Sequence, residues 1–155
     1  AALRQQQLDI LIIKNTAMAV TIDIGEWNDL HPHNKKEVGY RLALHALKND
    51  YQHNTIVAYG PFYKNHQLRG DTVLLDFHHV ENGIKNTTSL LHFELAAQDK
   101  KFVKARAIIN GKKVKVQSDA IAKPLYVRYA WLNSAEVINF YNVEGLPASP
   151  FELKL

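Results

Sequence analysis

The chain has 155 residues, 46% of them hydrophobic and 22% charged, with a formal net charge of +4. These values describe one ordinary globular domain or two small ones, and so mild a charge, with lysines in scattered groups such as Lys100-Lys101 and Lys112-Lys113, leaves no footprint for a nucleic-acid partner. No cysteine is present, which excludes disulfides and thiolate chemistry, and no apolar run approaches the ~20 residues of a membrane-inserted helix.

In chain order, Ala1 to Asp9 reads as a short helical end. Its first residues lack a methionine and the layout of a signal peptide, so the chain is expected to begin inside a larger polypeptide. Ile10 to Ile13 and Ala17 to Ile24 are apolar runs that suit buried strands of a parallel sheet. A helix is predicted from Asn34, with Val38, Leu42, Leu44 and Leu47 at roughly helical spacing and Asn49-Asp50 as its end. Strand, polar loop and covering helix are the ingredients of an α/β unit, predicted over 1–59. From Gly60-Pro61 the character changes to short strand-like runs. These are Thr72 to Phe77, Leu90 to Leu95, Lys104 to Ile109, Lys113 to Gln117, Leu125 to Trp131 and Ile138 to Tyr141, with a hairpin signal at Asn110-Gly111. They predict a β-sandwich over 60–155, with no flexible linker before it. Gly145 to Phe151 reads as a rigid tail that docks on the α/β part.

The segment Thr21 to Pro32 concentrates the candidate chemistry. His31 sits on a loop behind a strand end, stiffened by Pro32, and is placed to act as a general base. Asp29, Asn28, Glu26 and Asp23 supply oxygen acceptors nearby. His31 and His33 form a His-x-His pair that could hold zinc with a third ligand, yet no further ligand at suitable spacing accompanies them. His78-His79 reads as a strand end rather than a ligand pair. Trp131 reads as core of its strand, with a sugar-stacking surface as the alternative. The serines Ser89, Ser118, Ser134 and Ser149 all fall in the β-rich half, and none sits on a strand-to-helix elbow that would expose an activated hydroxyl.

Several segments together carry a family resemblance: Thr21 to Arg41 (TIDIGEWNDLHPHNKKEVGYR), Gly60-Pro61, Asp99 to Phe102, Val127 to Trp131 (VRYAW), Tyr141-Asn142, and Gly145 to Phe151 (GLPASPF). With these the chain resembles the C-terminal part of the sialate O-acetylesterases, the sialic-acid-specific 9-O-acetylesterase family, and their carbohydrate-esterase relatives in the SGNH-hydrolase superfamily. The resemblance implies that 1–59 is the C-terminal end of an SGNH-type α/β/α domain and 60–155 the β-sandwich domain that follows it. It implies hydrolysis of acetyl esters on sugars through an acyl-enzyme, without metal or organic cofactor, in a periplasmic or secreted protein. His31 falls on the family's catalytic histidine. Superfamily members often carry an aspartate three positions before that histidine; here the position is Asn28, which leaves Asp29, Asp23 or a Ser-His dyad as the alternatives. The nucleophilic serine would come from the N-terminal part of the esterase, in the same or a separate chain, and this chain alone is expected to be inactive. A second reading takes the all-β half as a non-catalytic carbohydrate-binding or scaffold module, motivated by the aromatic strand around Trp131.

Overall fold

Alternation of apolar and polar residues builds the larger part of the fold. The computed structural model describes residues 1–133 and 137–155, so Ser134 lies outside the described residues. Eight strands are present among the described residues: β1 (Phe62–Arg69), β2 (Thr72–His78), β3 (Phe93–Ala96), β4 (Val103–Lys104), β5 (Arg106–Asn110), β6 (Lys113–Gln117), β7 (Tyr126–Tyr129) and β8 (Phe151–Lys154). They form two four-stranded antiparallel sheets, ordered β1-β2-β6-β5 and β4-β3-β7-β8. Val73 and Leu75 of β2 and Val114 and Val116 of β6 turn inward, fully buried, against Phe93 and Leu95 of β3 and Val127 and Tyr129 of β7. One core shared by two sheets is a β-sandwich. Phe140 packs edge-on to Phe77 at 4.9 Å, and Phe93 lies 4.8 Å from Tyr129. Each such ring contributes about 1.5–3 kcal/mol by leaving water.

The predicted hairpin is present, with Asn110 paired to Lys113 across a Gly111-Lys112 loop. Only its glycine has positive φ (63°), the pattern of a type II′ turn. Lys104 to Ile109 is divided: β4 belongs to one sheet and β5 to the other, and the chain crosses between them at Ala105. Ile138 to Tyr141 is not a strand. It is held by isolated backbone bonds, the Ala148 N–H to the Phe140 carbonyl and the Lys85 N–H to the Tyr141 carbonyl, both at 2.9 Å. Next to it the buried Asn142 donates through Nδ2 to the carbonyls of Tyr59 (3.0 Å) and His79 (3.2 Å), while its Oδ1 accepts from the Leu146 N–H (2.9 Å).

The N-terminal segment departs from the α/β expectation. α1 (Ala2–Asp9) and α2 (Lys35–Asn49) are helices, but no strand forms between them among the described residues. Ile10–Ile12 is a 3-10 turn, closed by Ile13 N–H to the Ile10 carbonyl at 2.9 Å. With no neighbouring strand at hand, a turn satisfies backbone groups that an extended run would leave bare. The side chains stay in water, Ile12 being 91% exposed. Residues 17–24 lie on the sandwich instead of pairing, with Ile22 in the common core. α2 starts where expected: the Asn34 side chain accepts from the Glu37 N–H at 3.2 Å. Its buried face is Arg41, Leu44 and His45, whereas Leu42 and Leu47 are exposed. Leu44 meets Ala58 and Leu146, so the Gly145–Phe151 tail packs on α2 before entering β8. No helix among the described residues is long and apolar enough to cross a membrane.

Candidate active site

The loop from Thr21 to His33 is fixed at its root by charge. Arg41, projecting from the buried face of α2, grips Asp23 with both terminal nitrogens at 2.7 Å. It also donates to the Val20 carbonyl, and through Nε to Glu37 at 3.1 Å. Burial alone would lower the Arg41 pKa, but the bonds and charges of Asp23 and Glu37 raise it above its ordinary value. Tyr141 reaches the same carboxylate at 3.5 Å. Burial, then the Asp23 charge, push its hydroxyl up to about 12. Two residues 18 apart in sequence carry no local signal of pairing, and sequence reasoning missed Arg41 and Tyr141 as supports of the loop.

The outer half of the loop is held by its own acids. Asp29 Oδ1 accepts the backbone N–H of His31 at 2.7 Å. Glu26 Oε1 accepts the backbone N–H of His33 at 2.8 Å and lies 3.0 Å from the His33 ring. The backbone bond, the ring bond and the His33 charge hold the Glu26 carboxyl below its usual range. Asp29 is thus brought to the backbone of His31, and not to its imidazole. Asp23 is occupied by Arg41. The His31 ring is exposed and has no hydrogen-bond partner among the described residues. Beside it, Trp27 is 80% and Leu30 90% exposed.

The His-x-His pair does not converge. Atoms of Glu26, Asp29 and His33 lie within 4.8 Å of one another, but His31 is not among them, and both carboxylates already hold backbone N–H groups. His78 ends β2, and His79, at φ 61°, stacks on Tyr59 at 5.0 Å, an interior packing position. Ser149 is buried and Ser118 donates to the Lys104 carbonyl; no described serine bonds to His31. Trp131 lies outside the core cluster that holds Tyr129 and Ala130. It lines a cavity of about 580 Å³ at the edge of β3 and β5, so the core expectation fails for this one side chain.

No family model and no curated protein matches the chain. A solved structure does. The chain is similar to part of a carbohydrate acetylesterase. That protein, from Xanthomonas citri, shares 37% identity over 98% of this chain, with a TM-score of 0.92. The chain spans 35% of that structure's length. The likeness relates the chain to carbohydrate esterases, and its mostly β architecture is that of a β-domain with helices at its N-terminal side.

Proposed function

We propose that the chain is the histidine-bearing C-terminal portion of a carbohydrate O-acetylesterase, of the sialate 9-O-acetylesterase type. The likeness to the acetylesterase over nearly the whole chain supports the carbohydrate-esterase part of this reading, and the sialate type rests on the resemblance carried by Thr21 to Arg41, VRYAW and GLPASPF. Residues 1–59 are then the end of an SGNH-type α/β/α domain, and 60–155 its β-sandwich companion. The exposed Ile12, Trp27 and Leu30 are in keeping with it, as large apolar side chains that the rest of such a domain would cover.

In this mechanism a serine supplied by the N-terminal part attacks the acetyl carbonyl while His31 takes its proton. Collapse of the tetrahedral intermediate expels the sugar oxygen, which receives that proton, and leaves an acetyl-serine. His31 then takes a proton from water as it attacks the acyl group, and acetate leaves with the serine restored. The exposed, unpartnered imidazole is the feature of this chain that suits the role, since its nitrogens are open to a group from another segment.

The test joins this chain to the nucleophile-bearing part, by fusion or co-expression, and measures hydrolysis of an acetylated sugar. His31→Ala is expected to lower kcat/KM by roughly 10³ or more. Activity equal to the parent would sink the assignment. Comparing 9-O-acetyl sialic acid with acetylated neutral glycans tests the sugar.

A further inference from the structure

The cavity beside Trp131 has the composition of a ligand site, and the loop at His31 contributes nothing to its lining. Its volume of about 580 Å³ falls within the usual range of small-molecule pockets. Trp131 is half-buried and lines the cavity, with no ring contact to another aromatic among the described residues. Lys104 and Arg106, at the crossing from β4 to β5, line the same cavity.

The charges in the lining are unequal. Arg128 is neutralised: its Nε lies 2.6 Å from Glu94 and its Nη1 3.7 Å from Glu152, and its guanidinium stacks on Phe102 at 3.9 Å. Lys104 and Arg106 are both exposed, and neither has a carboxylate within ion-pair distance among the described residues. Asp119 lines an adjoining hollow that the same two cations share, without pairing with them. An indole in the same lining as two cations that are unpaired among the described residues favours a ring that carries a negative charge.

We infer that this cavity binds a carboxylate-bearing sugar residue, with Trp131 stacking on the pyranose face and Lys104 and Arg106 holding the carboxylate. The choice of a sugar rests on the esterase reading; the preference for an anion rests on the lining alone. An indole donates stacking area at little entropic cost, and the long cations supply charge-assisted hydrogen bonds.

The test uses this chain and needs no esterase activity, so it succeeds or fails separately from the assignment of His31. Glucuronate, glucose and acetate are each titrated into 15N-labelled protein, and the indole N–H resonances are followed. Trp131 should shift saturably with glucuronate at millimolar concentrations, while Trp27 serves as the internal control. Glucose and acetate should each bind at least tenfold more weakly. Trp131→Ala should abolish binding, and Arg106→Gln, an exposed substitution that leaves the core intact, should weaken it about three- to tenfold. The inference is overturned if 50 mM glucuronate, a roughly saturating concentration for a millimolar site, shifts nothing. It is overturned equally if glucose or acetate binds as well as glucuronate, or if Arg106→Gln titrates like the parent.

Discussion

Replacing Arg41 by methionine tests whether the buried ion pair at the root of the loop holds the N-terminal segment to the sandwich. The Arg41 and Asp23 side chains are only 4% and 9% exposed, and the contact is bidentate with both distances at 2.7 Å. Methionine keeps most of the apolar stem but strands the Asp23 carboxylate and frees the Val20 carbonyl. Breaking one partner of such a buried pair costs about 3–5 kcal/mol, a large share of the ~5–15 kcal/mol that holds an ordinary domain folded. With a urea m-value of about 2 kcal/mol per molar, the unfolding midpoint should fall by about 2 M. Asp23→Asn alone strands the guanidinium and should also be costly. The double variant should be less damaged than the sum of the singles, by about 1–3 kcal/mol, because removing the second charge relieves the first. Urea unfolding followed by circular dichroism on all four proteins closes the cycle. A loss below about 1 kcal/mol for Arg41→Met, or additivity within about 0.5 kcal/mol, would refute the reasoning.

Gly60→Ala should be the most damaging single methyl addition in the chain. An added Cβ would lie 2.0 Å from the Pro147 carbonyl oxygen and 2.8 Å from that of Leu146, both backbone atoms with no room to yield. A loss of about 3 kcal/mol or more is expected, and a thermal midpoint within 2 °C of the parent (a change of roughly half a kcal/mol) would contradict it. Acid should loosen the junction between α2 and the sandwich. Burial is the main cause that lowers the pKa values of His45 and His79 below their ordinary 6.5, with Lys48 adding to both and Glu81 opposing at His79. The unfolded chain therefore binds more protons below that value. Stability is full above pH 6.5 and declines as pH falls beneath it, by at most about 1.4 kcal/mol per pH unit for each histidine. Stability that stays flat between pH 7 and 5 would falsify this account. In the proposed esterase assembly, Asp29→Ala removes a hydrogen bond to the loop backbone and should lower kcat/KM roughly fivefold, since one such bond contributes about 1 kcal/mol. A fall of about 10⁴ would instead mark Asp29 as the acid that stabilises the imidazolium.

The strands that alternate cleanly were legible. β6 has the predicted bounds, and β2 and β7 are found within a residue or two of theirs. β1 was not, because FYKNHQLR carries no apolar alternation; it is an edge strand with one partner and little to bury. β8 has the sequence of a tail, since the prolines before it conceal that Phe151 turns into the core. Periodicity also misjudged α2. Leu42 and Leu47 advertise an apolar face, yet the face that packs inward holds Arg41 and His45, two polar residues made tolerable by Asp23 and by the Met18 carbonyl, 3.1 Å from His45 Nε2. Pairings of that kind depend on distant partners, which no window of sequence displays.

The same reasoning explains why the loop could be found in the sequence while its chemistry could not be apportioned. Thr21 to His33 contains three carboxylates, and any of them is a fair partner for His31 by spacing. The structure gives each another employer: Asp23 neutralises Arg41, Glu26 closes the loop on His33, and Asp29 caps the backbone of His31 itself. A carboxylate that accepts a backbone N–H fixes where the imidazole stands without touching its proton. Among the described residues these acids bond to the loop backbone, to His33 and to Arg41, and none of them reaches the His31 imidazole. Under the proposed hydrolysis, a partner that fixes the tautomer of His31 would have to approach one of its ring nitrogens from outside the described residues.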